Sequence, residues 1–518
     1  MSRGRTTTDL ASRPRPALTR RASLNALAAG VDYTARIVIQ LVLAPLLLRS
    51  LGDAGYGVWQ VLQKLIGHAT PAGGRPGEAL KWVVAQEQLS DDVEAKRRRV
   101  GTAIVVWALF LPFVAAVGGL LAWFSPTLLQ TPADLEWVVR GTAGLLVLNL
   151  MVLGLAGLPQ AVLQGENLAY RRLGLSTAIL FVGALLTVFA LWAGWGLLGV
   201  ALAALVTTLL SGITYLQIVR SQIAWWGVAR PARGAVKGFV GLSWWFLLWN
   251  LVMQAIKGSD VIVLGAVAGV AVVTTYTLTS YVPHAITDTV FMVVSATMPG
   301  LGGLVGAGEL DRAARVRGET LVLCWIVAVA SSATALVWLP DFLRLWVGSE
   351  YDAGTVSTLL ICVMVLQLAL LRVDSNVIDL TLRIRAKVLL GLLSAALSVG
   401  LAILLVGPWD MGIAGLVIGF VVGRIPLTAA YPVLVGRLLA IPLTSQLRAV
   451  WRPLLASTVL FASATWARGA VQVDGWAPLV LLGSLSGAVA LLLAYGMGLR
   501  ASQRRAVRSR VMKVVRPS

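Results

Sequence analysis

The chain is poor in charge. Asp, Glu, Lys and Arg make up 13% of its 518 residues, against 58% hydrophobic residues and a mean hydropathy of +0.83. So little polar surface cannot clothe a water-soluble globule of this length, so lipid must be its solvent. Acidic residues are scarcer still, 23 against 43 Lys and Arg, for a net charge of +20. In a soluble protein that excess would point to nucleic acid; in a membrane protein cations collect in cytoplasmic loops, and no nucleic-acid partner is expected. The only two cysteines, Cys324 and Cys362, both sit in apolar stretches, which excludes a disulfide framework or a thiolate metal site. No Walker loop, no GxGxxG after a strand and no HExxH occurs, so neither enzyme chemistry nor a cofactor or metal is expected.

What the chain has instead is long apolar runs. Cutting at charge clusters and Pro/Gly punctuation, with roughly 20 apolar residues per crossing, predicts an all-α polytopic membrane protein of about fourteen transmembrane helices. The segments are 24–48, 55–71, 100–124, 138–162, 173–193, 196–218, 238–265, 270–299, 319–341, 355–378, 386–407, 411–435, 450–467 and 477–499. The second is short and interrupted by Gln60, Gln63, Lys64 and His68. Charge supports keeping it. With the N-terminus inside, 34 of the 43 Lys and Arg fall in cytoplasmic stretches, only Arg49, Arg140, Arg344 and Arg468 fall outside, and the remaining five lie within spans. Dropping the second helix would invert every later loop against the positive-inside rule. Residues 1–23 and 500–518 read as basic cytoplasmic tails, and EALKWVVAQEQL, after the GGRPG turn, as an amphipathic segment on the membrane surface. External loops are short, which leaves no room for an outside catalytic domain.

A repeat divides the helices. GWGLLGVA carries Gly196 and Gly199, and WDMGIAGLV carries Gly412 and Gly415, each pair offset by 216 residues. This predicts two pseudo-symmetric six-helix lobes, an N-lobe at 24–218 and a C-lobe at 238–436, joined by a cytoplasmic linker at 219–237. Two further apolar helices at 450–499 stand outside the duplication. Transporters built this way bind substrate between their repeats.

Charge inside the spans marks candidate sites, because a charged side chain at the bilayer centre costs at least about 2.5–3.5 kcal/mol and is retained where it faces a partner or water. Asn25, Asp32, Arg36 and Gln40 form one polar stripe on helix one. Gln60, Lys64 and His68 do so on helix two, Asn250, Gln254 and Lys257 on helix seven with Asp260 a turn above, and Tyr276, Ser280, His284 and Asp288 on helix eight. Arg424 sits inside helix twelve, and helix ten carries Arg372, Asp374, Asn376 and Asp379. Structural ion pairing explains single cases, Asp32 with Arg36 at i+4 being one. Stripes on helices one, two, seven and eight together predict a hydrated cavity. Arg36, Lys64, Lys257 and Arg424, with Asn250, Gln254 and Gln60, suit an anionic group such as a diphosphate. Asp32, Asp260, His284 and Asp288 are candidates for coupling a proton or sodium ion.

Several stretches, in order, resemble the Wzx-type polysaccharide flippases of the multidrug/oligosaccharidyl-lipid/polysaccharide (MOP) exporter superfamily. They are APLLLRSLGDAGYGVWQ (Ala44 to Gln60), VLQGENLAYRR, DVIVLGAVAGVAVVTTYTLTSYV, LPDFLRLWVGSEYDAG (Leu339 to Gly354) and GIAGLVIGFVVG. The resemblance implies a bacterial cytoplasmic-membrane transporter, not an enzyme. It would move a polyprenyl-diphosphate-linked glycan between leaflets by alternating access, beside the polymerase and glycosyltransferases of surface polysaccharide biosynthesis, with Arg36, Lys64 and Lys257 holding the diphosphate. Fourteen helices equally suit a lipid II flippase. A cation-coupled multidrug exporter and a non-transporting scaffold of an assembly complex are the remaining alternatives. Reporter fusions after Arg49 and Arg344 are expected to read outside, and those after Arg99 and Arg317 inside; any reversal would break the helix count.

Overall fold

The computed structural model describes residues 15–74, 76–86, 92–166, 168, 174–231, 234, 236, 251, 252, 254, 258–380, 384–501, 503 and 504, with side chains from residue 31 onward. Among these there is no strand. The helices are α1 (Arg15–Gly67), α2 (Pro76–Gln86), α3 (Val93–Leu128), α4 (Glu136–Gly165), α5 (Leu175–Trp192), α6 (Gly196–Gln222) and α7 (Gly258–Val267). There follow α8 (Val270–Thr279), α9 (Tyr281–Gly306), α10 (Leu310–Trp346), α11 (Gly354–Leu380), α12 (Ile384–Val406), α13 (Gly412–Gly423), α14 (Ile425–Leu438), α15 (Leu443–Ala467) and α16 (Trp476–Leu493). Among the described residues ten helical stretches are long and apolar enough to cross a membrane, and helix falls on all fourteen expected segments. Large apolar side chains such as Phe113, Leu185 and Leu492 stand exposed along these helices, as lipid-facing surfaces require. The chain is a multi-pass integral membrane protein.

Helices one and two run on as α1, broken only at Gly52 (φ 68°, ψ 175°), where a side chain would be strained. The chain packs as two units: residues 1–52, 69–127 and 131–247 form unit 1, and residues 53–68, 128–130 and 248–518 form unit 2. Unit 1 centres on Leu80, Val84, Val100, Ala103, Leu158, Val162 and Val219, which join α2, α3, α4 and α6. Here the structure corrects one expectation. The segment read as a surface helix, EALKWVVAQEQL, begins as α2, whose Leu80 and Val84 are fully buried. The apolar face that suggested membrane-surface binding packs on α4 instead.

In unit 2, Val290, Val294, Ala328 and Ala369 join α9, α10 and α11. The last two helices dock on α10: Trp325 Nε1 donates to Ser457 Oγ at 3.0 Å, and Trp338 Nε1 to Ser486 Oγ at 2.8 Å. Each indole N–H thereby finds an acceptor that lipid cannot supply.

The repeat is visible in backbone geometry. Gly196 and Gly412 both sit at φ 54°, opening α6 and α13. A Cβ on Gly199 would come within 2.6 Å of Trp195 Cβ, and one on Gly415 within 2.6 Å of Met411 Cβ. Glycine at both spacings is therefore a steric requirement of one turn used twice. Later in α13, a Cβ on Gly419 would lie 2.5 Å from the Ala402 backbone nitrogen, whereas one on Gly400 meets nothing within 4 Å. Gly419→Val is expected to cost about 1–3 kcal/mol through overpacking, and Gly400→Ala to be neutral or stabilising by up to about 1 kcal/mol. Thermal unfolding in detergent reads the difference, and equal melting temperatures would contradict the packing.

Candidate functional site

Unit 2 gathers five of the charged residues picked out from sequence. Asp260, on α7, is 8% exposed and accepts hydrogen bonds from Tyr276 Oη at 2.7 Å and from the Val261 backbone N–H at 2.8 Å. Arg424, 3% exposed, interacts electrostatically with Asp260 and then Tyr276, and its guanidinium lies 5.1 Å from the Phe420 ring centroid. These three buried groups form a floor. His284 interacts electrostatically with Asp260, Lys64 and Asp288, in that order. Lys64, His284 and Asp288 are exposed and form the rim of this group.

Local sequence explains the placement. Pro283 and Pro426 lack the N–H that would bond the carbonyl four residues earlier, so the helices interrupt at Ser280, between α8 and α9, and at Arg424, between α13 and α14. One interruption therefore puts Arg424 at a helix junction, and the other separates Tyr276 from His284 on the same polar face. The second half of α1 is brought close to α7 and α8 by glycine. Gly57 packs on the Val270 carbonyl, Gly258 lies under His68 and Lys64, and Gly265 under Val61. Gln254 Nε2 donates to the Gly67 carbonyl at 2.6 Å, close to Lys64 in sequence, and His68 Nδ1 bonds the Lys64 carbonyl at 2.7 Å. Gln60 hydrogen-bonds Tyr56.

Two expectations take a different form. Arg424, picked out as a candidate for an anionic headgroup, instead interacts electrostatically with Asp260 in the buried floor. Asp32, considered as the i+4 partner of Arg36, accepts from Ser176 Oγ at 2.8 and 3.0 Å and from Thr177 Oγ1 at 2.9 Å, at the first turn of α5. A carboxylate at a helix N-terminus is stabilised there by the helix dipole. Asp32 and Arg36 lie in unit 1, with Arg36 exposed. Asn250 and Lys257 lie outside the described residues.

Sequence reasoning did not find the tie that seats helix two on unit 2. Tyr351 Oη donates to Asp53 Oδ1 at 2.5 Å, Thr274 Oγ1 to the Asp53 carbonyl at 2.7 Å, and Thr279 Oγ1 to the Tyr351 carbonyl at 2.7 Å. Burial, reinforced by that hydrogen bond to a carboxylate, pushes the Tyr351 hydroxyl up from its ordinary pKa, so it stays a donor. The inner half of the unit holds a second charged group: Arg317 forks onto both Asp374 oxygens at 2.7 and 2.9 Å, and Lys387 bonds Asp379 at 2.5 Å. These pairs account for most of the helix-ten charges as structural. No group of three or more His, Cys, Asp or Glu placed to hold a metal occurs among the described residues.

The fold is similar to that of solved transporters of the MOP superfamily. One similar structure is described as the inward-facing conformation of a multidrug resistance MATE family transporter of that superfamily, with a TM-score of 0.64 at 14% identity, covering 79% of this chain and 95% of that one. Another is the lipid II flippase MurJ in an inward closed conformation, with a TM-score of 0.63 at 11% identity, covering 91% and 97%. A third is a MOP superfamily transporter from Pyrococcus furiosus, with a TM-score of 0.55 at 16% identity, covering 81% and 96%. No protein-family profile and no curated protein sequence matches the chain.

The floor yields a stability prediction. Asp260→Ala removes the acceptor of Tyr276 and the anion that interacts with the buried Arg424, and is expected to cost more than Tyr276→Phe, which loses one hydrogen bond, about 1 kcal/mol. Melting of the purified variants in detergent checks this, and the double variant Asp260→Leu, Arg424→Met is expected to recover part of the loss. Equal effects of the two single changes would contradict the arrangement.

Proposed function

We propose that the chain is a flippase that moves a polyprenyl-diphosphate-linked glycan from the inner to the outer leaflet of a bacterial cytoplasmic membrane, for surface polysaccharide biosynthesis. The observation that carries this reading is the exposed cation Lys64 beside a buried floor in which Arg424 interacts electrostatically with Asp260. The exposed charge is thus available to an anionic headgroup, and the buried one holds the helices in place. His284 and Asp288 on the same rim are the ion-coupling groups in this reading, and Arg36 is a second exposed cation, on unit 1. The motif order found in the sequence, from helix one to helix twelve, supports the polysaccharide branch.

A lipid II flippase is the second reading, favoured by one observation. The MurJ structure covers 91% of this chain, against 79–82% for the MATE structures and the Pyrococcus transporter, so the likeness extends over more of the chain. Both readings share a polyprenyl diphosphate and differ in the sugar. Arg36→Ala and Lys64→Ala are expected to abolish surface glycan in the host while membrane insertion stays normal. Unchanged surface glycan in both variants would overturn the proposal, and accumulation of peptidoglycan precursor on depletion of the protein would favour the second reading.

A further inference from the structure

Helix two does not cross the membrane as one piece. Its α-helical residues end at Gly67, residues Thr70–Gly73 make a 3-10 turn, and α2 resumes at Pro76. The depth of the break can be read from its neighbours. A Cβ on Gly74 would touch the Phe110 ring at 2.7 Å, and one on Gly73 would lie 3.5 Å from Val114. Phe110 and Val114 follow the cytoplasmic cation Arg99 on α3 by a distance of roughly 16–22 Å at 1.5 Å per residue. In a hydrocarbon core of about 30 Å the break is therefore near the middle. α2 returns from there to the inner end of α4, where Gly165 packs under Val84.

Non-helical backbone at that depth is tolerated where it is buried in protein or lines a cavity, and interrupted helices mark substrate sites in transporters. Here the break lines a cavity of about 380 Å³ within unit 1, walled by α3 and α4. That volume falls within the roughly 300–1,000 Å³ of small-molecule sites. Its chemistry is mixed. Gln160 and Gln164, one turn apart on α4, line one wall, with Thr70 and Glu78 contributed by the break and the start of α2. Trp107 supplies an aromatic surface, with its Nε1–H already donated to the Met151 carbonyl at 3.2 Å.

An acyl or isoprenyl chain there would bury two carboxamides without partners, at a cost per group of about 1–3 kcal/mol. A cation would find one carboxylate, Glu78, that Lys81 already holds at 2.5 Å. A pyranose ring suits the wall, because each carboxamide offers a hydroxyl both a donor and an acceptor, and the indole offers an apolar surface to the ring's C–H groups. We infer that this cavity is a saccharide subsite that takes a pyranose ring of the lipid-linked glycan. The inference deepens the flippase proposal and rests on it.

The test is equilibrium binding to the full-length protein in detergent with two probes, undecaprenyl diphosphate and undecaprenyl-diphosphate-linked N-acetylglucosamine. Gln160→Leu with Gln164→Leu removes the hydrogen-bonding wall. Gly157→Leu fills the cavity from a position where an added Cβ meets nothing within 4 Å, so it keeps the fold by a separate route. The wild type is expected to prefer the sugar-bearing probe by about tenfold, and both variants to lose that preference while holding the bare carrier unchanged. Variants that keep the preference, or a wild type that binds both probes equally, would overturn the subsite and leave the flippase proposal standing. A wild type that binds neither probe would overturn both.

Discussion

A guanidinium buried among membrane helices has to be neutralised where it sits, and the rest of unit 2 is organised around the way Arg424 meets that demand. At 3% exposure Arg424 has little solvent to do it, and an uncompensated buried charge costs several kcal/mol, a large fraction of a domain's net stability. The solution uses four helices. α7 supplies the Asp260 carboxylate, α8 supplies the Tyr276 hydroxyl that holds it, and the interruption between α13 and α14 places Arg424 and Phe420 beside them. Remove the proline at 426 or the glycines that bring these helices into contact, and the floor has no geometry. The tie of Asp53, Thr274 and Tyr351 seats helix two on the same unit, which is what carries Lys64 to the rim.

This division between floor and rim gives the charges separate duties. Groups under a tenth exposed hold the helices in register. Lys64, His284 and Asp288 are exposed, so they can exchange partners without the floor losing its charges. In unit 1, Asp32 sits at the N-terminus of α5 with two hydroxyls, and Lys96 lies 3.8 Å from Glu166.

Much of the fold was legible because hydrocarbon imposes long apolar runs and cytoplasmic cations, and the weak second helix was kept on charge grounds alone. The Gly196/Gly199 and Gly412/Gly415 spacing was legible because each glycine meets a steric demand that recurs in both repeats. Helix two's interior was harder. Its Pro and Gly residues read as a cytoplasmic turn, because local composition does not report depth; only the contacts of Gly73 and Gly74 with α3 do. The candidate site was legible as polar stripes, whose residues had to be polar at helical spacing to share a face. Partnership was not. Asp260 beside Arg424 and Asp32 beside Ser176 join residues 164 and 144 positions apart, and nothing local in the chain announces either pair.

Translocation itself is the most direct test of the flippase proposal. Purified protein reconstituted into liposomes carrying a fluorescent undecaprenyl-diphosphate-linked sugar should bring inner-leaflet probe within reach of an external quencher faster than protein-free liposomes do. It should leave an ordinary fluorescent phospholipid at the protein-free rate. A glycolipid rate indistinguishable from that of protein-free liposomes would contradict it.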